Sequence, residues 1–456
     1  MKGSTHFVGI GGTGLSAIAR VLLERGEAVS GSDREDSPMM QSLRTAGAVV
    51  HVGHAASNVN GAVRVIRSSA VTDDNVEVQA ARKKGIPVLK RSEVLGELLA
   101  DQKVIAVAGS HGKTTTTAMI AWMLTALNQK PGYIIGSVAA NLGANAAAGA
   151  GRLFVIEADE YDHMFLGLVP SIAVVTNVEH DHPDLFPEPR DFQKAFERFV
   201  DRLQPDGTLL ACSDDPGAGE LLAYAKKAGK RTLTYTSGQS GDYSMANLEL
   251  REDSGASFMA MNTLVQLQVP GKHNALNALA ALAVADLLQF SVPEAAMALS
   301  DFRGTARRFE ERGEANGVLF VDDYAHHPTE IHSTLAAARA RYPKRRIIAV
   351  WQPHTYSRTA TLQVDFVTAF HDADLVMVTD VYAAREQKPA AFDMQKMAQS
   401  IKHPDLRFSG SLEETRKMLG TELKPGDLLL VMSAGDAIQI SELLFRDLKQ
   451  KEQAHA

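Results

Sequence analysis

The sequence is poor in cysteine, in long apolar runs and in surplus positive charge. Its single cysteine, Cys212, cannot form an internal disulfide and suits a reducing compartment such as the cytosol. No uninterrupted apolar stretch approaches the roughly 20 residues that span a bilayer, and the chain opens without the features of a signal peptide. The 47 basic and 54 acidic residues give a net charge of −7, which argues against general binding to nucleic acid. We therefore expect a cytoplasmic protein without nucleic-acid or membrane partners.

The length and the order of motifs predict three domains. At about 150 residues per domain, 456 residues suggest three. Strand, glycine turn and helix follow one another repeatedly, which is typical of parallel α/β units. We predict an α/β protein with three consecutive α/β domains over 1–100, 101–305 and 306–456.

The predicted elements are short apolar strands separated by helices. Strands are predicted over Phe7–Ile10, Ala28–Ser32, Lys103–Ala108, Arg152–Ile156, Ile172–Thr176, Val318–Val321, Arg346–Val350, Leu375–Val378 and Asp427–Val431. Helices are predicted over Leu15–Glu24, Thr114–Leu127 and Asn274–Leu288, and Lys449–Ala456 is predicted to be a frayed tail.

A glycine-rich loop follows the first predicted strand. Gly9-Ile10-Gly11-Gly12-Thr13-Gly14 fits G-x-G-x-x-G, in which glycines let the backbone approach a diphosphate at a helix N-terminus. Asp33 ends the second strand about 20 residues further on, where an acid can meet a ribose hydroxyl. The motif predicts a nucleotide diphosphate without saying which one. A tight turn that binds nothing is the alternative.

A second loop, Ala108-Gly109-Ser110-His111-Gly112-Lys113-Thr114, follows another buried strand. In such a loop the backbone amides cradle phosphates, the lysine neutralises them and the threonine hydroxyl reaches Mg²⁺. It departs from G-x-x-x-x-G-K-[ST], because Val107 stands at the first glycine position. We predict a second nucleotide site here, with a purely structural turn as the alternative.

Acidic residues follow the next two buried strands. Glu157-Ala158-Asp159-Glu160 follows one, and Asn177-Val178-Glu179-His180-Asp181-His182 follows the other. Parallel strands bring these ends to the edge of the sheet that carries the phosphate loop. Oxygen ligands suit Mg²⁺, and an imidazole can join them. We predict functional roles for Glu157 and His182, and ordinary surface roles for Glu179 and His180.

Two polar clusters mark the third domain. They are Asp322-Asp323-Tyr324-Ala325-His326-His327-Pro328-Thr329-Glu330 and Gln352-Pro353-His354-Thr355-Tyr356-Ser357-Arg358, each after a predicted strand. Adjacent histidines at a helix start can also be simple caps. The pair Arg307-Arg308 is either a clamp for phosphate or carboxylate, or a solvated face.

Taken together, these motifs resemble those of the Mur ligases of peptidoglycan synthesis, over essentially the whole chain. The residues that carry the resemblance are Gly9–Gly14, Gly109–Thr115, Glu157–Glu160, Asn177 with Asp181-His182, Gly271–Asn274, Asp322–Glu330 and Gln352–Arg358. The resemblance implies a Rossmann-like N-terminal domain that binds a UDP-sugar, a P-loop ATPase-like central domain that binds Mg-ATP, and a Rossmann-like C-terminal domain that closes on ATP and helps to bind the amino acid.

The resemblance also implies a role for individual residues. The UDP-sugar would contact Gly9, Gly11, Gly12, Thr13, Gly14, Asp33 and Ser69; ATP would contact Gly109, Ser110, His111, Gly112, Lys113, Thr114, Thr115, His273, Asn274, Arg307 and Asp323. The amino acid and sugar acid would contact Tyr324, His326, His354 and Arg358, and the metal ligands would be Thr114, Glu157 and His182. Lys113, Glu157, His326 and Arg358 would be catalytic, with two Mg²⁺ ions as cofactors and His326 as the candidate base.

The reaction that the resemblance implies is ATP-dependent joining of L-alanine to the carboxylate of UDP-N-acetylmuramate through an acyl phosphate, by a monomer or weak homodimer. Tyr161 is shared with family members that ligate a recycled murein tripeptide, whereas Gln352-Pro353-His354 with Arg358 fits those that add alanine. The tripeptide ligase is therefore one alternative. A nicotinamide-dependent dehydrogenase and a non-catalytic nucleotide-binding switch are the others.

Overall fold

The computed structural model describes residues 3–252 and 255–455. They form three α/β domains, as the alternating pattern predicts. By packing they divide into two units, of which the first holds the described residues up to 179 with 190–244 and 277–299, and the second holds the others. The domain boundaries at 100 and 305 stay a prediction. No helix within the described residues is long and apolar enough to cross a membrane.

The first domain is a five-stranded parallel sheet. Its strands are β1 (Ser4–Val8), β2 (Val29–Asp33), β3 (Val49–Val52), β4 (Ala62–Arg67) and β5 (Val88–Lys90), in the order β3-β2-β1-β4-β5. Its helices are α1 (Thr13–Glu24), α2 (Pro38–Thr45), α3 (Val76–Lys83) and α4 (Arg91–Leu98), with a 3₁₀ turn over Ala56–Val59. The strand order reverses between β1 and β4, which is where open α/β sheets bind ligands. The glycine loop between β1 and α1 lies at this point.

The central domain places its phosphate loop between two strand ends. The elements are β6 (Lys103–Ala108), β7 (Gly132–Ala139), β8 (Ala144–Ala147), β9 (Leu153–Glu157), β10 (Ile172–Val175), β11 (Thr208–Cys212), β12 (Arg231–Thr236), α5 (Lys113–Ala126), α6 (Pro189–Asp201), α7 (Pro216–Lys227) and a 3₁₀ helix over Tyr161–Gly167. The order β12-β11-β10-β6-β9-β7-β8 puts β6 between β9 and β10, all three parallel. The prediction of Lys103–Ala108 is confirmed residue for residue.

A three-stranded antiparallel meander and two helices follow. They are β13 (Tyr243–Arg251), β14 (Gly255–Ala260), β15 (Thr263–Leu267), α8 (Lys272–Leu287) and α9 (Val292–Ser300). The predicted helix Asn274–Leu288 is confirmed within two residues, because its alanine- and leucine-rich run is buried on nearly every side.

The third domain is a six-stranded sheet covered by helices on both faces. Its elements are β16 (Glu310–Ala315), β17 (Val318–Asp323), β18 (Arg346–Gln352), β19 (Leu375–Thr379), β20 (Leu406–Gly410), β21 (Asp427–Ser433), α10 (Pro328–Arg341), α11 (Tyr356–Thr361), α12 (Gln363–Phe366), α13 (Met394–Ser400), α14 (Leu412–Glu422) and α15 (Ile438–His455). The order is β16-β17-β21-β18-β19-β20, with β16 antiparallel. Alternate residues of β18 enter two cores, Ile347 and Trp351 on one face and Ile348 and Val350 on the other.

Several sequence expectations about element ends were wrong in detail. Strand β1 ends at Val8, two residues before the predicted end, because Gly9 and Ile10 belong to the turn that leads into α1. Strands β17, β18 and β21 continue two residues past the predicted ends, through Asp323, Gln352 and Ser433, because these polar side chains are buried and hydrogen-bonded at the sheet edge. The described part of the predicted frayed tail is helical, since α15 runs to His455.

Candidate active site

The first glycine loop is ordered by an aspartate at the end of β2. Gly9 has φ +89°, a left-handed backbone that glycine adopts without strain. The backbone N–H of Gly11 donates to Asp33 Oδ2 at 2.8 Å. Asp33, expected at a ribose hydroxyl, thus also holds the loop in place. Gly12 immediately precedes α1, so that the first turn of the helix presents its amides at the loop.

A cavity of about 210 Å³ opens beside this loop. Gly12, Thr13 and Gly14 line one side, and the predicted Ser69 lies on its wall. Arg67 and Arg91, which the sequence reasoning did not include, also line it. Apart from the carboxylate of Asp162, its polar lining consists of backbone amides, hydroxyls and two guanidinium groups, which is the donor set that a diphosphate needs.

The phosphate loop requires glycine where it passes β10. Gly109 has φ +139°, and a Cβ atom there would lie 2.0 Å from the Thr176 hydroxyl oxygen. Gly112 has φ +78° and is the N-cap of α5. These two positions let the loop turn sharply and direct the N-terminus of α5, with Thr114 and Thr115, towards the loop.

Polar residues after β10 brace the same loop. The N–H of His111 donates to Asn177 Oδ1 at 2.8 Å, and the Thr176 hydroxyl donates to the His111 carbonyl at 2.5 Å. Ser110 Oγ donates to the Glu179 carbonyl at 2.6 Å and accepts from the Glu179 N–H at 2.8 Å. The site prediction omitted Thr176, although the rule that strand ends meet at one edge points to it. Glu179, for which an ordinary surface role was expected, instead braces the phosphate loop through its backbone.

The ammonium of Lys113 is largely shielded from solvent, its side chain being 13% exposed, and it is compensated by acids. Its Nζ lies 3.0 Å from Glu160 Oε1 and donates to the carbonyls of Gly109 and Ser110. Burial alone would lower the pKa of Lys113, but the carboxylates of Glu160, Asp159 and Glu157 outweigh it and raise that pKa above its usual value. Lys113 is therefore a permanent cation at the phosphate loop.

Thr114 and Glu157, two predicted metal ligands, meet at the C-terminal end of β9. The Thr114 hydroxyl donates to Glu157 Oε1 at 3.1 Å, and the Gly136 N–H donates to Glu157 Oε2 at 2.6 Å. A hydroxyl and a carboxylate beside a phosphate loop are hard oxygen donors and fit Mg²⁺. His182, the third predicted ligand, belongs to the second unit.

In the second unit, Arg358 is hydrogen-bonded to two of the predicted residues, His354 and His182. Its buried guanidinium donates from Nε to Asp181 Oδ1 at 2.7 Å, from Nη1 to His354 Nδ1 at 2.9 Å and from Nη2 to His182 Nδ1 at 3.3 Å. Burial would lower the pKa of Arg358, but Asp181 outweighs burial and raises it. The pKa of Asp181 lies well below its usual range despite burial, because His182 and Arg358 favour the carboxylate.

The two predicted histidines of this cluster, His326 and His354, are neutral. Burial, aided by Arg358, lowers the pKa of His326 to about 3, although Glu330 opposes the shift. Burial, His326 and Arg358 lower the pKa of His354 to about 2. His326 Nδ1 faces the Tyr324 carbonyl at 2.9 Å, so Nδ1 carries the proton and Nε2 is the acceptor. The ring centroids of the two histidines are 5.6 Å apart.

The other predicted site residues of the third domain include Asp323, Arg307 and Tyr324. The carboxylate of Asp323 accepts from the N–H groups of Phe309 and Ala325, each at 2.7 Å, and burial raises its pKa to about 6. The guanidinium carbons of Arg307 and Arg308 lie 4.8 and 4.9 Å from the centre of the Tyr324 ring. The stacking orients this ring through cation–π contact.

Other predicted residues of the second unit have structural contacts. His327, left open as a cap or a functional residue, is the N-cap of α10, where Nδ1 accepts from the Thr329 N–H at 3.3 Å. His273 and Asn274 lie in the first turn of α8, with Asn274 Nδ2 donating to the Pro270 carbonyl at 2.7 Å. Burial and Arg308 lower the pKa of His273 to about 4. The predicted ATP contacts of His273 and Asn274 remain predictions.

A glycine-loop domain, a central domain with a phosphate loop and a third α/β domain with a polar cluster define a nucleotide-dependent enzyme of three domains. Family models match all three: "Mur ligase family, catalytic domain" over residues 4–103, "Mur ligase middle domain" over 107–285 and "Mur ligase, glutamate ligase domain" over 307–435. The chain belongs to the Mur ligase family. It is an ATP-dependent ligase that uses Mg²⁺.

Curated relatives and solved structures agree with this assignment. The UDP-N-acetylmuramate–L-alanine ligase of Roseiflexus sp. (strain RS-1) is 42% identical over 98% of this chain and 99% of its own length. That of Thermobifida fusca (strain YX) is 41% identical over 96% and 95%. The crystal structure of the UDP-N-acetylmuramate–alanine ligase from Thermotoga maritima is 29% identical, covers 100% of both chains and has a TM-score of 0.81. A murein peptide ligase from Psychrobacter arcticus 273-4 is 26% identical over 98% and 99%, with a TM-score of 0.72.

Replacing Gly109 tests the phosphate loop. We expect Gly109→Ala to weaken ATP binding at least about 100-fold, because the added Cβ would lie 2.0 Å from Thr176 Oγ1 and displace the loop. The matched control is Gly219→Ala in α7, where a Cβ meets nothing within 4 Å. Calorimetric titration with ATP measures both, and unchanged affinity in Gly109→Ala would show that the loop does not hold the phosphates.

Proposed function

We propose that the chain joins L-alanine to the carboxylate of UDP-N-acetylmuramate, converts ATP to ADP and phosphate, and acts in peptidoglycan precursor synthesis. The observation that carries the proposal is the phosphate loop with Lys113 beside the Thr114–Glu157 pair. The names of the full-length relatives support the choice of UDP-N-acetylmuramate and L-alanine as the two substrates besides ATP. The proposal extends to a cytoplasmic monomer or weak homodimer without nucleic-acid or membrane partners.

The UDP-sugar is assigned to the first glycine loop. The cavity beside Gly12 and Gly14 is lined by Arg67 and Arg91 as well as by Asp162, and the two guanidinium groups are the donors that would bind a diphosphate. Asp33, at the end of β2, stays our candidate for the ribose. A dehydrogenase would use the same loop for NAD, but it leaves the phosphate loop of the central domain without a role.

ATP and magnesium are assigned to the central domain. Thr114 and Glu157 would hold Mg²⁺, with His182 as the third proposed ligand and two ions in all. Bound Mg²⁺ would neutralise phosphate charge during transfer. Lys113 stabilises the negative charge that spreads over the γ-phosphoryl oxygens, because it stays cationic and is already aligned by Glu160.

The first chemical step activates a poor electrophile. An oxygen of the muramyl carboxylate attacks the γ-phosphorus of ATP, the bond from that phosphorus to the β–γ bridging oxygen breaks, and ADP leaves. The product is an acyl phosphate, in which the former carboxyl oxygen bridges carbon and phosphorus. We assign the ribose and phosphate contacts of ATP in the third domain to Asp323 and Arg307.

The second step forms the amide. The amine of L-alanine attacks the acyl carbon, the nitrogen loses a proton and inorganic phosphate leaves. His326 Nε2 is the proposed acceptor of that proton, since His326 is neutral and its Nδ1 is engaged by the Tyr324 carbonyl. Its pKa of about 3 makes His326 a weak base.

Arg358 is proposed to act mainly through the groups that it orients. Its guanidinium donates to Asp181, His354 and His182, and its side chain is only 4% exposed. These bonds fix the two imidazoles and the Asp181 carboxylate. We propose that Tyr324 and His354 line the site of the sugar acid and the amino acid, next to His326.

Ligation of a murein tripeptide is the second candidate, favoured only by Tyr161. A panel of amine substrates distinguishes the two. With ATP and UDP-N-acetylmuramate we expect the highest kcat/KM for L-alanine, and values about 10- to 100-fold lower for glycine and L-serine, since one small group is worth about 1–3 kcal/mol. Phosphate release is the measurement. A tripeptide that is used as well as L-alanine would identify the chain as a recycling ligase.

Replacing His326 tests the second step. We expect His326→Gln to lower kcat about 100-fold, because a proton acceptor contributes roughly that factor, and to leave ATP affinity unchanged. His371→Gln is the matched control, since His371 is 87% exposed. Steady-state kinetics with varied L-alanine checks both. A His326→Gln enzyme with wild-type kcat would remove His326 from the mechanism.

A further inference from the structure

We propose that Arg91 is shared between two sites: it holds Asp159 in the structure described above, and it transfers its contact to the diphosphate when the UDP-sugar binds. Arg91 is then a positioning residue that connects the sugar site with the acidic segment of the ATP site. The inference rests on the proposed function for the identity of the sugar ligand. Nothing in the sequence motifs singled out Arg91.

Arg91 lies directly against the first glycine loop. It begins α4, and its side chain lines the same cavity as Gly12, Thr13 and Gly14. A Cβ atom at Gly14 would lie 2.2 Å from Arg91 Nη1. Glycine is thus required at position 14 for the guanidinium to occupy this place, within reach of a diphosphate on the loop.

The other contact of Arg91 reaches the acidic segment after β9. Arg91 Nη2 donates to Asp159 Oδ2 at 3.0 Å. Asp159 lies between Glu157, which accepts from Thr114, and Glu160, which pairs with Lys113. One guanidinium therefore touches both the sugar cavity and the segment that compensates the phosphate-loop lysine.

The backbones that carry this ion pair are packed closely together. A Cβ at Gly167, at the end of the 3₁₀ helix Tyr161–Gly167, would lie 2.0 Å from the Ser92 carbonyl oxygen in α4. The neighbouring Lys90 also pairs with Asp162, at 3.3 Å. By contrast, the side chains of Arg91 and Asp159 are 25% and 32% exposed. The side chain of Arg91 can therefore change partner without separating the two backbones.

Charge balance makes the two contacts of Arg91 competitive. Both arginines that line the cavity are already paired, Arg67 with Asp73 at 3.3 Å and Arg91 with Asp159 at 3.0 Å. A diphosphate must draw a guanidinium away from a carboxylate, and a bidentate Arg–phosphate contact is the stronger of the two. Asp159 should therefore weaken sugar binding, and bound sugar should release Asp159.

Binding of UDP-N-acetylmuramate and of UDP, without ATP, tests the sharing. Calorimetric titrations would compare the wild type with Arg91→Gln, Arg91→Lys, Asp159→Asn and the double variant Arg91→Gln/Asp159→Asn. We expect Arg91→Gln to weaken binding about 10- to 100-fold, with partial rescue by Arg91→Lys. Asp159→Asn should tighten binding about 2- to 5-fold, which a purely structural role of Asp159 does not produce.

The double variant and an exposed lysine of α3 are the controls. In the Arg91→Gln background the gain in affinity from Asp159→Asn should be smaller, because Arg91 is no longer there for the carboxylate to hold. Lys83→Gln removes an exposed cation that does not line the cavity and should leave affinity within about 2-fold. Thermal unfolding midpoints within a few degrees of the wild type would show that each variant folds.

The outcomes separate this inference from the proposed function. If the wild type binds neither UDP-N-acetylmuramate nor UDP, the proposed function fails and the inference fails with it. If the wild type binds but Asp159→Asn binds no more tightly, or gains equally with and without Arg91, the sharing is overturned and the proposed function stands.

Discussion

The largely shielded cation of Lys113 is the constraint on which the rest of the site depends. An unpaired ammonium in this position would cost several kcal/mol, so carboxylates must lie beside it. Glu160 pairs with it directly, and the carboxylates of Asp159 and Glu157 add to the negative electrostatic potential at the ammonium. This requirement draws the end of β9 to the phosphate loop, and the same requirement places Glu157 next to Thr114, where a magnesium ion would be held.

The acidic segment that compensates Lys113 also faces the first domain. Through Arg91 and Lys90 the segment meets the start of α4, and Arg91 in turn lies over the glycine loop at Gly14. On the proposal above, a charge added to either nucleotide site would change the balance at the other, because both share these few side chains. The connection gives a physical basis for coupling between the two proposed nucleotide sites.

The sequence predicted the loops better than their supports. The strand Lys103–Ala108 and the glycine turn after it could be predicted because an apolar run and a turn with positive φ each depend on residues that are adjacent in the sequence. The bracing of the phosphate loop by Thr176 comes from a separate strand, and Arg91 is opposite Gly14 only through tertiary packing. The low pKa of His326 could not be predicted from a sequence motif either, because it results from burial and from the nearby Arg358.

The central claim is that ATP activates the muramyl carboxylate as an acyl phosphate. It is tested most directly with UDP-N-acetylmuramate whose carboxylate oxygens are ¹⁸O, incubated with ATP, L-alanine and the enzyme. Phosphorus NMR or mass spectrometry of the released inorganic phosphate is the measurement. The account predicts one ¹⁸O atom in each phosphate, because the carboxylate oxygen stays on phosphorus when the amine displaces it. Amide formation with unlabelled phosphate would contradict the account.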